Sequence, residues 1–322
     1  MAYSSVISRT DAAALIPQEV SNEIVAAVPQ ASAVMGLARQ LSGMSTSQRR
    51  MPVMSALATA YFVTGDTGLK QTSEVSWENK YIDAEELAVI VPIPEAVLDD
   101  ADFDIWGEVR PSLVEAFGIA IDAAVLYGTN IPASWTTNLG AAGLIAGIAA
   151  ASQNVSLAAY TDMYEAILGE TAAGTTGLFG LVEEDGFMVT GSIAHLTMKR
   201  KLRNVRDANG GLIFSTNMQQ AGQYLLDGAP ILFPTNGAIS ETYLLISGQW
   251  NQLVYAMRQD ITYKILTEAV IQDAAGNIIY NLAQQDMIAL RAVMRLGFAL
   301  PNPINRVQTT EASRFPFAYM TT

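Results

Sequence analysis

The chain of 322 residues carries a net charge of -13, is 50% hydrophobic and is only 15% charged. A chain this apolar can bury enough surface to offset its conformational entropy, which excludes a disordered protein, and its negative charge argues against a nonspecific nucleic-acid binder. It has no cysteine and a single histidine, His195, which excludes disulfides, thiolate metal ligands and any metal site that needs two imidazoles.

The first forty residues predict an arm with two short amphipathic helical segments, 18–27 and 31–41, which is too small to fold alone. Arg9 and Asp11 interrupt the apolar core that a secretory signal requires, so no signal peptide is predicted. The apolar surface of the whole chain must then be hidden in a large private core or against copies of the same chain.

The region from Met51 to Ile93 shows a period of two residues, which is typical of strands. Alternation from Ala60 to Thr64, and again after a glycine-containing turn at Gly65–Lys70, predicts two long strands joined by that turn. Four apolar side chains of the returning strand share one face: Leu87, Val89, Val91 and Ile93.

A helical period follows from Asp104 to Tyr127, and Gly128 is expected to end the helix. Pro111 predicts a start or a kink, because proline cannot donate the helical hydrogen bond. The nearly uncharged stretch 129–154 is interpreted as a loop and as the best internal boundary. Its apolar part, 139–151, is shorter than the roughly 20 residues of a membrane span.

The second half predicts short helices and then strands. Thr161 is expected to cap a helix to Ala172, and Ser192 is expected to cap another that ends near Val205. The remaining elements are a short strand at 187–190, a helix at 217–226, a strand after Pro230, and strands at 243–247, 253–257, 261–266 and 287–300. Strands and helices are segregated, so the predicted fold class is α+β.

The sequence offers no strong catalytic or metal motif. The acidic run Asp99, Asp100, Asp102 and Asp104 fails as an EF-hand because isoleucine and proline occupy the required glycine and glutamate positions. His195 lacks a recognisable nucleophile partner, and the acidic turn 183–185 is interpreted as a solvated loop. No catalytic, cofactor-binding or metal-binding residue is therefore predicted, and the chain is not expected to be an enzyme.

One basic cluster contains five of the eighteen basic residues: Lys199, Arg200, Lys201, Arg203 and Arg206. Such a helix can meet nucleic acid or the acidic face of a neighbouring copy. The second interpretation is favoured, because the strongly acidic remainder of the chain supplies a complementary surface.

The order of these segments resembles the major capsid proteins of tailed bacteriophages, which have the Hong Kong 97 fold. The similarity covers essentially the whole chain. It rests on LAVIVPIPEAVLDDADFDIWGEV at 87–109, AIDAAVLYGTNIP at 120–132, LRNVRDANG at 202–210, GAP at 228–230 and IALRAVMRLGFALPNP at 288–303.

The resemblance implies an N-terminal arm at 1–45, an extended loop region at 46–86 that lies over a neighbouring subunit, and a C-terminal tail at 311–322. It further implies a peripheral domain with the spine helix at 87–150 and 241–310, and an axial domain at 151–240. The candidate contacts between subunits are Phe62, Lys70, Trp77 and the basic cluster with its Lys199, Arg200, Lys201, Arg203 and Arg206.

The implied function is self-assembly into the hexamers and pentamers of an icosahedral head that encloses double-stranded DNA without sequence-specific binding. Implied partners are other copies of the chain, a separate scaffolding protein, a portal and a decoration protein, with no membrane partner and no cofactor. The implied location is the virion, after synthesis in the cytoplasm of the host bacterium. Some relatives cross-link a lysine of the extended loop, and Lys70 lies near this turn, but no motif identifies its partners.

Three alternatives remain open from the sequence. An encapsulin-like nanocompartment would share the fold and hold a cargo enzyme. An enzyme would use His195 or the carboxylates near Glu183, and a tail or head-decoration protein would form other assemblies.

Overall fold

The computed structural model describes residues 32–63, 68–100, 104–139, 142–169, 174–205, 224–273 and 275–322. The predicted helix at 18–27, part of the turn at 65–70, Asp102, Arg206 and most of the predicted helix at 217–226 lie outside these residues.

The described helices are α1 (Ala33–Leu37), α2 (Glu95–Asp99), α3 (Ile105–Tyr127), α4 (Ala133–Leu139), α5 (Gly143–Ala150), α6 (Met163–Ile167), α7 (Leu178–Glu184) and α8 (Leu196–Arg203). The described strands are β1 (Arg39–Gln40), β2 (Gln48–Ala56), β3 (Ser76–Asp83), β4 (Glu85–Pro94), β5 (Asn154–Ser156), β6 (Gly191–Ala194), β7 (Leu225–Leu226), β8 (Ala229–Leu232), β9 (Tyr243–Gly248), β10 (Val254–Leu266), β11 (Val270–Gln272), β12 (Ile278–Asn281), β13 (Met287–Ala299) and β14 (Phe317–Thr321).

A four-stranded sheet in the order β1-β10-β13-β4 packs against the long helix α3. The helix places Leu113 and Phe117 against Leu290 and Ala292 of β13, and Leu87, Val89 and Val91 of β4 pack on the same cluster. The predicted helical stripe and the predicted apolar face of β4 therefore form one core.

A second, six-stranded sheet has the order β5-β14-β9-β6-β8-β7. Helices α6, α7 and α8 pack their buried side chains against it, among them Phe179 and Met198. Its strand β14 lies between β5 and β9 and is almost wholly buried, so residues that the sequence assigned to a tail complete this core.

The strands β2 and β3 form a separate antiparallel pair. At its base, Gly297 of β13 contacts the end of β3: a Cβ atom there would lie 2.4 Å from the Asp83 carbonyl oxygen. The Asp83 carbonyl also accepts a hydrogen bond from Trp135 Nε1 of α4 at 2.9 Å. The hairpin is thus fixed at its base to the first sheet and to α4.

The helix predicted at 104–127 is confirmed as α3, and Gly128 ends it with φ 68°. A Cβ atom at Gly128 would lie 2.4 Å from the carbonyl carbon of Ala142, so this turn needs glycine. Pro111 lies inside the helix and does not begin it.

Several predicted elements were wrong. The stretch 129–154 contains α4 and α5, because its alanine-rich, uncharged sequence packs in the core beside α3. Asp162, not Thr161, caps the helix after it, and α6 is described only to Ile167. Ser192 lies inside the buried strand β6, and His195 caps α8.

The strand predictions also need correction. Residues 57–63 form no strand, and the region 48–94 forms three strands where two were predicted. The short strand lies at Gly191–Ala194 and not at 187–190. Leu225–Leu226 is a strand where the end of a helix was predicted, and Val254–Leu266 forms one continuous strand, β10, where two were predicted. Local residue preferences favoured the predicted elements, but pairing between strands across the sheets determined where the strands begin and end.

Candidate inter-subunit surfaces

The hairpin of β2 and β3 carries large apolar side chains that the subunit itself does not cover. Phe62 is 103% exposed, Leu69 is 91% exposed and Trp77 is 65% exposed. Lys70 is exposed beside Leu69. Three of the predicted contact residues, Phe62, Lys70 and Trp77, therefore lie in one exposed segment, which we call the hairpin tip (residues 57–63 and 68–77).

Two hydrogen bonds help to order the described part of the tip. The Tyr61 hydroxyl donates to the Gln71 carbonyl at 2.8 Å, and the Thr59 amide donates to Ser73 Oγ at 2.8 Å. These bonds join the two sides of the tip beyond the point where the pairing of β2 with β3 ends. Isolated two-stranded hairpins are marginally stable in water, so an apolar tip of this kind is expected to be completed by another surface.

Helix α8 carries the described basic residues of the predicted cluster. Arg200 and Arg203 are exposed, whereas Lys199 and Lys201 are partly buried. Lys199 Nζ lies 4.4 Å from the centroid of the Tyr224 ring and 5.8 Å from that of Phe233. Lys199 is thus directed onto aromatic rings of its own subunit, and Arg200 and Arg203 are the exposed residues among those of the cluster that the structure describes.

His195 has a local structural role at the start of α8. Its Nδ1 atom accepts a hydrogen bond from the Thr197 amide at 3.3 Å and lies 2.9 Å from Thr197 Oγ1. The residue borders an open cleft of about 570 Å³ that also involves Arg200 and Glu241. Both contacts are made to the second residue after the histidine, and the cap at the start of α8 accounts for them.

Two cations lie next to each other on the face of the first sheet that is turned away from α3. Lys264 of β10 and Arg291 of β13 are directly opposite each other in register, and both side chains are exposed. Ile90 of β4 is the partner of Arg291 on the other side and is 42% exposed. Like charges directly opposite each other in a sheet are destabilising. The sequence could not predict this pair, because the two residues are 27 positions apart and share no local pattern.

The acidic turn at 183–185 is not the solvated loop that was predicted. Asp185 is 7% exposed, and its carboxylate accepts hydrogen bonds from the Phe315 amide at 2.8 Å and from Gln153. Burial raises its pKa above 3.8, partly offset by the Phe315 amide and by the charge of Arg314. Glu183 and Glu184 end α7 and remain exposed, so the three carboxylates do not form one site.

A fully buried carboxylate attaches the start of the described chain to α3. Asp122 of α3 accepts hydrogen bonds from Ser32 Oγ at 2.5 Å, the Ala33 amide at 2.9 Å and the Val34 amide at 3.1 Å. Burial raises the pKa of Asp122 above 3.8, and the three hydrogen bonds offset part of that rise. An isolated aspartate in the apolar sequence AIDAAV was the sequence feature that could have indicated this contact.

An apolar cavity of about 240 Å³ lies between α3 and β4, lined among others by Leu87, Ile121 and Trp135.

Among the described residues, no group of three or more acidic or imidazole side chains is arranged to hold a metal ion. No helix within the described ranges has the length and apolar character that crossing a membrane requires.

Comparison with known proteins gives one consistent match. The model of the phage capsid family matches residues 12–307 of this chain. The chain is also 25% identical over 284 residues to the major capsid protein of Staphylococcus phage 80alpha, a match that covers 87% of this chain and 79% of that protein.

Two solved structures agree closely in fold. A chain from Microbacterium phage Oxtober96 has a TM-score of 0.81 and 33% identity, and the match covers 98% of this chain and 99% of that one. A chain from Mycobacterium phage Adephagia has a TM-score of 0.77 and 30% identity, with 98% of each chain covered. The similarity therefore includes both sheets, α3 and the hairpin.

Proposed function

Because this chain belongs to the phage capsid family and is a major capsid protein, of Hong Kong 97-like fold, that builds a phage head from many copies, we propose that its hairpin tip and α8 form contacts between neighbouring subunits. The exposure of Phe62, Leu69 and Trp77 is the observation that carries this proposal.

The magnitude of the apolar surface supports the proposed role of the tip. Complete burial of a large apolar side chain contributes about 1.5–3 kcal/mol. Burying the three side chains of Phe62, Leu69 and Trp77 would therefore contribute roughly 5–9 kcal/mol before the costs of association. Repeated around a closed shell, a contact of this size favours assembly without making a single pair of subunits inseparable.

The proposed partner of α8 is an acidic face of a neighbouring copy. Arg200 and Arg203 are exposed on this helix, and the chain as a whole carries a net charge of -13. Arg206 belongs to the same proposal on sequence grounds. Because exposed charges are screened by salt, subunit association through α8 should weaken as ionic strength rises.

We propose the same domain roles that the resemblance implies, with one change at their boundary. In the second sheet, β9 pairs with β6, β14 pairs with β5, and β9 and β14 pair with each other. The proposed axial domain would therefore include Tyr243–Gly248 and Phe317–Thr321. The proposed peripheral domain would keep α3 and the first sheet.

The partners beyond the shell itself remain proposals. A separate scaffolding protein, a portal and a decoration protein are expected from the resemblance, as is synthesis in the cytoplasm of the host bacterium. The enclosed double-stranded DNA would be held without sequence-specific contacts, which fits an acidic chain that repels phosphate. Co-expression with each candidate partner, followed by copurification, tests this set.

The triple variant Phe62→Ser, Leu69→Ser and Trp77→Ser tests the proposed role of the tip. Electron microscopy and analytical ultracentrifugation of the purified variant should show folded subunits and no closed shells. Met188→Ser is the matched control, because Met188 is 75% exposed but lies outside the hairpin. Normal shells from the triple variant would refute the proposed role of the tip.

The alternatives from the sequence find less support. The relatives reported above come from phages, which favours a phage head over a cargo compartment. The capping role of His195 and the separation of Asp185 from Glu183 and Glu184 favour a structural protein over an enzyme. A His195→Ala variant that still forms shells is the expected result.

A further inference from the structure

The segment 300–316 links β13 to β14 and has no regular secondary structure, yet it contacts the hairpin at three points. The Ile304 amide donates to the Met54 carbonyl at 3.3 Å, and Arg306 Nη2 donates to the Ala58 carbonyl at 2.7 Å. Lys80 Nζ of β3 lies 3.0 Å from Glu311 Oε1. Both sides of the hairpin are therefore held by one connecting segment.

A buried guanidinium fixes the shape of this segment. Arg314 is 3% exposed. It donates to the carbonyl oxygens of Asn302 at 3.0 Å, Gln308 at 3.0 Å and Thr309 at 3.2 Å, and to Asn302 Oδ1 at 3.2 Å. These acceptors lie at the start and in the middle of a loop of thirteen residues, 302–314, and Arg314 is its last residue, so one side chain closes the loop.

The same loop is attached to the body of the subunit. The Phe315 amide donates to the Asp185 carboxylate at 2.8 Å, and Asn305 Nδ2 donates to the Asp185 carbonyl at 2.6 Å. Asp185 follows α7, which packs on the second sheet. Hydrogen bonds thus connect the residue after α7, through the loop, to the hairpin, and α7 itself packs on the second sheet.

We propose that residues 302–314 form a brace that sets the direction in which the hairpin leaves the subunit, with Arg314 and the Lys80–Glu311 ion pair as its positioning residues. This inference rests on the proposed contact between the hairpin tip and a neighbouring subunit.

The length of the hairpin makes its direction important. At about 3.3 Å per residue, strand β2 with its nine residues extends for roughly 30 Å. A rotation of about 10° at the base would therefore move its far end by roughly 5 Å, which is more than the spacing between side chains in a packed contact. Exposed ion pairs contribute little to stability, so the Lys80–Glu311 pair matters for position more than for folding.

A charge exchange within one chain tests the brace. Lys80→Glu and Glu311→Lys are each expected to leave the melting temperature of the subunit within about 2 °C and to reduce the yield of closed shells at least fivefold. The double variant Lys80→Glu/Glu311→Lys restores the pair and should restore the yield. The matched control is Lys264→Glu combined with Glu311→Lys, which makes the same charge changes at an exposed lysine outside the hairpin without rebuilding the pair, and it should not restore the yield.

A second measurement follows the brace directly in the dissociated subunit. In Lys80→Glu, the Ile304 amide should exchange its hydrogen at least tenfold faster than in the unchanged protein, while amides of β9 keep their rates. Unchanged exchange at Ile304, normal shells from both single variants, or a double variant no better than the singles would overturn the brace.

The two proposals can fail separately. If the serine variant of the tip loses assembly while the brace variants form normal shells, the brace is refuted and the contact by the tip stands. If the serine variant forms normal shells, the proposed contact fails, and with it the significance of the direction that the brace sets.

Discussion

Gly297 provides the sharpest test of how the hairpin is joined to the subunit. In Gly297→Ala, the added Cβ would lie 2.4 Å from the Asp83 carbonyl oxygen and 2.6 Å from Ile82 Cγ2. Ordinary contacts begin near 3.4 Å, so the end of β3 must move by almost 1 Å away from β13. That movement also stretches the 2.9 Å hydrogen bond from Trp135 Nε1 to the Asp83 carbonyl.

The expected cost follows from these contacts. Overpacking a tight site costs about 1–3 kcal/mol, and weakening the Trp135 hydrogen bond costs about 0.5–1.5 kcal/mol. Replacing glycine with alanine restricts the unfolded chain and returns about 0.4–1 kcal/mol. The unfolding free energy of Gly297→Ala should therefore fall by about 0.5–4 kcal/mol.

Denaturation of dissociated subunits in guanidinium chloride, followed by tryptophan fluorescence, measures this loss. Gly36→Ala is the matched control, because its Cβ would meet only Leu232 Cδ1 at 4.0 Å inside α1. The control should be neutral or more stable, since alanine is the better helix former. A Gly297→Ala variant as stable as the unchanged protein, or a Gly36→Ala variant that loses as much, would refute the reasoning.

Three further predictions concern buried or unpaired polar groups. Burial raises the folded-state pKa of Asp122 above 3.8, so the folded subunit holds the carboxyl proton more tightly than the unfolded chain does. The protonated carboxyl therefore contributes stability that is present below pH 3.8 and is lost as pH rises through the raised pKa. Asp122→Asn should remove this part of the loss of stability with rising pH. Lys264→Glu should stabilise the subunit by up to about 1 kcal/mol, because it replaces a like-charge pair with Arg291 by an opposite-charge pair. Trp250→Phe should cost about 2–4 kcal/mol, since the Trp250 Nε1 bond to the Gly191 carbonyl (2.9 Å) is lost and a cavity remains.

Denaturation curves between pH 3 and pH 7 check the first of these predictions, and curves at pH 7 check the other two. Equal slopes of stability against pH for the unchanged protein and Asp122→Asn would contradict the first. A destabilised Lys264→Glu subunit would contradict the second, and a Trp250→Phe variant with unchanged stability would contradict the third.

Much of the fold was predictable where a local pattern coincided with the final packing. The helical stripe that contains Leu113 and Phe117 is confirmed in α3, and the alternation of Leu87, Val89 and Val91 is confirmed in β4. Gly128 ended its helix as predicted, because that turn requires a positive φ. In each case one periodicity satisfied both the backbone and the core.

The predictions failed where distant contacts decided the structure. Residues 129–154 lack charge and resemble a loop, but their small side chains allow α4 and α5 to pack beside α3. Alternation at 60–63 suggested a strand, but no partner strand pairs with these residues in the described structure. The acidic turn looked solvated until Phe315, 130 positions later, brought its amide to Asp185.

The sequence by itself determined the α+β class, the long helix that Gly128 ends and the resemblance to a capsid subunit, since each depends on residue types and their local spacing. Only the tertiary structure decided that Asp122 would hold residues 32–34, that Lys264 would face Arg291, and that Arg314 would close a brace beside the hairpin. The physical reason is that buried charges and cross-strand pairs acquire their partners through chain topology, which brings together residues that carry no common local pattern.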